Sequence, residues 1–292
     1  MTKKVLLTGG TGLIGKESVR FLKEAGFEIF GITNCETSIS DVNWINCDLF
    51  NHEDVKKVFD EVKPEYLLNF AWITGGDYLT NPKNLLFKNA GIKMLEYFKA
   101  NGGKRAVYAG TCFEYDITAE KLSEKTPVKP STLYAQSKNE LHIECEKFSK
   151  ENGLSFGWGR IFYVFGHNEN PTRLTAKIID SLLNNNKFQL GAPNNFLDYM
   201  YTKDSANAFV KFLQSEYVGS VNICTGKGIL LKDYALKIQE LMGKKDLIEF
   251  ERNKPASLIC VGDNTILKNI IGFEPVYNID SALKEIVKPF IS

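Results

Sequence analysis

The stretch "VLLTGGTGLIG", residues 5–15, sets three glycines at a spacing of three, Gly9, Gly12 and Gly15, directly after an apolar run. A glycine inside regular structure costs about 0.5–1 kcal/mol relative to alanine, so such a cluster belongs where the backbone must turn tightly or approach another group closely. Beyond it, Ile14, Phe21, Leu22 and Ala25 fall at helical spacing and Gly26 ends the run, which predicts an amphipathic helix. In a strand–turn–helix of this kind the first glycine makes the turn. Gly12 then lets the backbone approach a pyrophosphate, and Gly15 lets the helix pack on the strand. The free amides of the helix start and its dipole face negative charge, which is the context a dinucleotide requires.

Outward from that turn, short apolar runs alternate with amphipathic ones. Residues 28–33, 42–46, 66–71, 105–109 and 154–160 read as strands, several of them apolar at nearly every position, as strands buried on both faces are. Between two of them Val55, Val58, Phe59 and Val62 keep helical spacing, with Asn51 placed to cap the start and Pro64 to close the end. Helices are expected at 82–100 and 131–151, each followed by an Asn-Gly pair suited to a left-handed terminal turn. This order predicts an α/β fold, a doubly wound parallel sheet covered on both faces. After Gly166 the pattern loosens into shorter elements punctuated at 184–186, 191–195 and 226–228, with helices expected at 172–184, 204–215, 231–242 and 279–290. The expected division is a dinucleotide-binding unit at 1–165 and a smaller mixed C-terminal substrate lobe at 166–292, with some segments returning to the first unit.

Composition narrows the function classes. With 36 Lys and Arg against 35 Asp and Glu, a net charge of +1, and no block of like charge, the sequence offers nothing to nucleic acid or to a membrane surface. No apolar run approaches the roughly 18–20 residues that span a bilayer, and the start, MTKKVLLTGG, has no signal-type apolar region, so a cytoplasmic protein is expected. Six cysteines without a Cys-x-x-Cys pair, and three histidines distant from them, read as reduced thiols; no metal site is expected, though the spread does not exclude one.

The segment "STLYAQSKNELHIE", residues 131–144, carries the chemistry. Tyr134 and Lys138 stand four apart on a predicted helix and share a face. A phenol with pKa near 10 shuttles protons poorly at neutral pH, and a nearby ammonium is expected to lower that pKa by stabilising the phenolate. Thr111, at the end of the strand in "AVYAGTCFEY", supplies a hydroxyl able to hydrogen-bond a reacting oxygen.

The spacing Gly-x-x-Gly-x-x-Gly within "TGGTGLIG", residues 8–15, together with the Tyr-x-x-x-Lys pair, resembles the extended short-chain dehydrogenase/reductase family, which includes nucleotide-sugar epimerases, dehydratases and reductases. The resemblance covers nearly the whole chain. It implies a Rossmann-type sheet and an NAD(P)(H) cofactor, with Gly9, Gly12, Leu13, Ile14 and Gly15 at the pyrophosphate. It further implies Asp48 and Leu49 at the adenine, Asn69, Phe70 and Ala71 along the cofactor, and Asn89 on a helix facing the fourth strand. By their residue types alone, Asp48 equally suits a cap, Asn69 the satisfaction of strand-end backbone groups, and Asn89 a polar core position. The same resemblance implies that hydride passes between the nicotinamide and a carbinol or carbonyl carbon. Tyr134 would move the proton, Lys138 would hold the nicotinamide ribose as well, and Thr111 would orient the substrate oxygen.

Departures from the family pattern select among its branches. The 4,6-dehydratases carry an Asp-Glu pair after the threonine, whereas here Cys112 and Phe113 follow Thr111, so elimination is not expected. At the end of the second strand Thr33 and Asn34 stand where a carboxylate would bind the ribose of NAD, which favours NADP(H), with NAD(H) the alternative. "GRIFYVFG" places Tyr163 where the family has a substrate-touching Asn, and "NFLDYMYTKD" places Leu197 where an arginine meets nucleotide phosphate. Thr111, Cys112, Tyr163 and Leu197 are therefore the expected substrate contacts, with Arg173 or Lys177 available to replace the missing guanidinium. The expected activity is reduction of the 4-keto group of a nucleotide-activated deoxysugar. Epimerisation, reduction of a small non-nucleotide carbonyl, and a non-catalytic dinucleotide-sensing protein are the alternatives. The family also suggests a homodimer.

Overall fold

The computed structural model describes residues 3–118, 121–251 and 258–291. The glycine turn lies between β1 (Lys3–Thr8) and α1 (Gly15–Glu24), and the alternation continues through β2 (Phe27–Thr33), β3 (Asn43–Asn46), α2 (His52–Val62), β4 (Tyr66–Asn69), α3 (Lys83–Ala100), β5 (Arg105–Thr111), α4 (Leu133–Glu151) and β6 (Ser155–Ile161). The C-terminal part contributes β7 (Tyr163–Phe165), α5 (Leu174–Leu183), β8 (Phe188–Leu190), β9 (Phe196–Tyr201), α6 (Thr202–Gln214), β10 (Gly219–Ile223), β11 (Gly228–Leu230) and α7 (Leu231–Leu241). It ends with β12 (Ile248–Phe250), β13 (Ile259–Cys260), α8 (Thr265–Asn269) and α9 (Ile279–Ile291).

Seven strands form one parallel sheet in the order β10-β6-β5-β4-β1-β2-β3. Period-two alternation sorts its side chains: Val5 and Leu7 join the core under α1 and α6, while Leu6 joins the core under α2, α3 and α4. Both faces are dry, so a strand such as β5 is buried at all seven positions. This is the physical origin of the unbroken apolar runs in the sequence.

Local signals hold at the helix ends. Asn51 accepts a hydrogen bond from the Asp54 amide at 3.3 Å, and Gly102 and Gly153 take positive φ (82° and 58°) after α3 and α4. The sequence pattern did not show β10, which returns from the C-terminal part to pair with β6 at the sheet edge, nor the short strands β7, β8, β9, β11, β12 and β13. Strands of two to six residues carry too few alternations for periodicity to register. A third core, built on Phe165, Ile178, Leu182, Tyr234, Ile238 and Leu283, fills this region. All six cysteines are free thiols, and no described helix is long and apolar enough to cross a membrane.

Candidate active site

The sheet order reverses between β1 and β4, and a cleft of about 930 Å³ opens at the C-terminal ends of these strands and of β5, walled on its far side by residues of the C-terminal part. Such a switch point is where doubly wound sheets bind ligands. The Thr8 hydroxyl donates to Asn69 Oδ1 at 2.5 Å and ties the two diverging strand ends together.

The three glycines do different work. Gly9 takes φ +66°, and a Cβ there would stand 2.7 Å from the Ala71 nitrogen; a Cβ on Gly15 would stand 2.1 Å from the Gly9 carbonyl oxygen. Gly12 lines the cleft, and its Cβ would meet only the Gly9 oxygen, at 3.1 Å. Two glycines are therefore demanded by the protein's own packing, and the third keeps the cleft floor bare. No side chain caps the start of α1, which opens beside this floor together with Leu13 and Ile14. A bare floor and uncapped amides fit the diphosphate of a dinucleotide. Gly15→Ala is expected to lower stability by about 1–3 kcal/mol, because backbone must move. Gly12→Ala is expected to change stability by less than about 0.5 kcal/mol while weakening dinucleotide binding about tenfold or more. Thermal denaturation and a fluorescence titration separate the two effects, and wild-type binding by the Gly12 variant would remove the diphosphate from this floor.

Thr33, Asn34, Leu49, Phe70 and Ala71 all line the cleft. Three expected cofactor residues do not. Asp48 is exposed, and its carboxylate accepts from the Phe50 amide at 3.0 Å, so it shapes the turn leading into α2. Asn69 is buried behind the wall, where Oδ1 also accepts from the Ala71 amide at 3.1 Å. Asn89 lies exposed on α3, because the helix turns Asn84, Ala90, Gly91, Met94, Leu95 and Phe98 inward. The asparagine of α3 that faces inward is Asn84, fully buried, whose Oδ1 accepts from Trp72 Nε1 at 2.7 Å. The phase of the apolar positions in α3 was the signal that distinguished it.

Thr111, Tyr134 and Lys138 meet on one wall of the cleft. Thr111 ends β5 and caps the 3₁₀ turn Cys112–Glu114 by accepting from the Phe113 amide at 3.3 Å. Tyr134 sits in the first turn of α4, which Thr132 caps through the Ala135 amide at 3.2 Å. Lys138, one turn on and 4% exposed, donates to the Ala109 carbonyl at 2.7 Å. The expected lowering of the phenol by the ammonium does not prevail. Burial pushes the Tyr134 phenol up, opposed by a hydrogen bond from Thr111, and burial lowers Lys138 to about 7, opposed by the charge of Glu114. Desolvation disfavours both charged forms and outweighs their neighbours here.

Glu114 escaped the sequence reading. It is 0% exposed and accepts from the Thr111 amide (2.8 Å), Trp158 Nε1 (3.1 Å) and Arg160 Nε (2.8 Å). Arg160 Nη1 donates to the Tyr115 hydroxyl at 3.1 Å, which donates to Asn222 Oδ1 at 2.7 Å. The Thr-x-x-Glu spacing of a capping box was its only local trace.

On the substrate side Cys112, Tyr163 and Leu197 line the cleft. The Cys112 thiol is buried, and burial pushes it up. Tyr163 packs between Phe113 (ring centroids 6.0 Å apart) and Tyr199 (5.5 Å), and Tyr78 stands edge-on to Tyr134 at 5.1 Å. Among the described residues lining the cleft, the cationic side chains are Lys138, Arg173 and Lys177. Arg173 donates to the Val164 carbonyl at 2.8 Å. Asp198 and Asp204 serve the scaffold: Asp198 accepts from the Thr225 and Gly226 amides and Asp204 from the Val276 and Tyr277 amides.

GDP-6-deoxy-D-talose 4-dehydrogenase of Aggregatibacter actinomycetemcomitans is 27% identical, over 89% of this chain and 92% of that protein. UDP-glucuronic acid decarboxylase 1 of Xenopus tropicalis is 25% identical, over 99% of this chain and 72% of that protein. The fold is similar to that of the UDP-glucose 4-epimerase of Thermotoga maritima, with a TM-score of 0.88 at 20% identity over 98% of each chain. Residues 5–224 match the family described as the NAD dependent epimerase/dehydratase family, which is the extended short-chain group that the glycine turn and the Tyr-x-x-x-Lys pair resemble. On this match the chain belongs to the NAD dependent epimerase/dehydratase family.

Proposed function

We propose that the protein reduces the 4-keto group of a nucleotide-activated deoxysugar with a reduced nicotinamide dinucleotide. The observation that carries this reading is the meeting of Thr111, Tyr134 and Lys138 in one cleft that Arg173 and Lys177 also line. A bound nicotinamide supplies the hydride. The Tyr134 phenol, protonated at neutral pH, gives its proton to the substrate oxygen as the carbonyl becomes a carbinol. Thr111 orients that oxygen, and the Lys138 ammonium offers positive charge beside it. Arg173 and Lys177 take the diphosphate in place of the guanidinium lost at Leu197.

Two features favour reduction over the other branches. After Thr111 the Cys112 and Phe113 side chains supply no carboxylate, and Glu114 is locked on Arg160, so the acid pair that elimination uses next to the threonine is missing. Epimerisation requires the keto intermediate to present its other face, and the rings of Tyr78, Phe113, Tyr163 and Tyr199, packed edge to edge or tilted on one another and on Tyr134, line the side of the cleft where that rotation would take place. The 1–165 and 166–292 units supply the cofactor and substrate walls in this reading. Leu85, Leu86 and Ile143, exposed on α3 and α4, offer a second copy an apolar face.

The test supplies CDP-, UDP-, GDP- and dTDP-linked 4-keto-6-deoxyhexoses with NADPH or NADH and follows oxidation of the dinucleotide together with the sugar product. One nucleotide is expected to give stoichiometric oxidation and a single hydroxyl product. NADPH is expected to be the better donor, because Thr33 and Asn34 bring no carboxylate against a 2′-phosphate. The preference should stay within about tenfold, because no cation lines that end of the cleft among the described residues. A C4 epimer formed without net oxidation identifies an epimerase instead, and turnover of small carbonyls without any nucleotide identifies a small-carbonyl reductase.

A further inference from the structure

The indole of Trp72 fills the space between the start of α3 and the first two turns of α4. Its N–H is bound by Asn84, which is itself fixed, since the Asn84 amide donates to the Tyr78 carbonyl at 2.7 Å and the Asn81 carbonyl at 2.8 Å. Phe87 stacks on the indole with centroids 5.6 Å apart and planes at 28°. The Lys138 Nζ lies 3.7 Å from the indole centroid, and the Tyr134 ring stands edge-on to it at 6.4 Å.

A buried ammonium needs acceptors or π faces on every side, because water no longer supplies them. For Lys138 the bonded protein acceptor is the Ala109 carbonyl. Glu114 acts on it by charge from the 3₁₀ turn, but that carboxylate is spent on Arg160, Trp158 and the Thr111 amide. Tyr134, on the same helix, is a neutral phenol. Apart from the cleft itself, the Trp72 face is the described neighbour that lies against the ammonium, and indole is the strongest of the aromatic partners for a cation.

We infer that Trp72 is a positioning residue for Lys138: Asn84 fixes the indole, and the ring face together with the Ala109 carbonyl holds the ammonium one helical turn from Tyr134. The inference rests on the proposed oxidoreductase reading only for the use to which that ammonium is put.

The test reads Lys138 directly. In protein carrying carbon-labelled lysine, the Lys138 ε-carbon resonance, assigned by its loss in Lys138→Arg, is followed by NMR through pH in wild type, Trp72→Phe and Trp72→Leu. Phe and Leu fill similar volumes, so their difference isolates the ring face from the space it occupies. The Phe variant is expected to titrate below wild type, because phenyl is the weaker face, and the Leu variant about one pH unit lower than the Phe variant, the size of a desolvated cation–π contact. Trp72→Met serves as a second non-aromatic variant should the Leu variant fail to fold. Equal midpoints in the aromatic and non-aromatic variants would overturn the inference, whatever the turnover. A midpoint that moves in a protein with no reductase activity would uphold it and remove the proposed reaction instead.

Discussion

Replacing Tyr134 by Phe is expected to lower kcat by about 10²–10⁴-fold while the dinucleotide dissociation constant stays within about threefold of wild type. The substitution removes one oxygen and keeps the ring that packs edge-on against Trp72, Tyr78 and Phe113 at 6.4, 5.1 and 6.5 Å. Shape and burial are preserved, so a loss of turnover reports the proton and not a collapsed wall. The phenol is protonated through the neutral range and so has a proton to give; burial pushes it further up, with the Thr111 hydrogen bond as the opposing influence that eases its release. Steady-state kinetics with saturating dinucleotide, paired with a binding titration, separates the two parameters. Turnover within about tenfold of wild type would show that the proton comes from elsewhere.

Glu114→Ala is expected to destabilise the protein by about 3–5 kcal/mol, the usual cost of stranding one member of a buried ion pair. The carboxylate is the shared acceptor of the Arg160 guanidinium, the Trp158 indole and the Thr111 amide, and Arg160 is itself only 4% exposed. Without Glu114 a buried cation and two buried N–H groups lose their partners at once. The effect should reach the reaction, because the Thr111 backbone is one of those partners and its hydroxyl lies on the cleft wall. Urea unfolding with an unchanged m-value reads the stability loss. Adding Arg160→Met should restore part of the lost stability without restoring activity, since the stranded charge is then gone while the Thr111 support is still missing. A loss below about 1 kcal/mol in the single variant would mean that the pair is solvated and idle.

Among the residues singled out in the sequence, those that the structure brings to the cleft or a helix end and those that it places elsewhere differ in a physical way. Gly9, Gly12 and Gly15 lie in one turn whose geometry depends on neighbours in sequence, and Asn51, Gly102 and Gly153 act within one helix end. Tyr134 and Lys138 share a face because four residues make about one helical turn. Asn89 lies on the outer side because a helix offers several faces, and only packing against α2 and α4 decides which of its asparagines is buried. Asp48 matches a motif by position, yet the turn it caps points it outward.

The sequence alone determined the order of strands and helices through residue 161, the glycine turn between β1 and α1, and the pairing of a phenol with an ammonium on α4. These follow from backbone sterics and from periodicities that a few adjacent residues express. Only the tertiary structure decided that β10 returns to the sheet edge, that Glu114 is held by groups brought from Arg160 and Trp158, and that Trp72 meets Lys138. It also decided the protonation of the site, because desolvation depends on what surrounds a group and not on its neighbours in the chain.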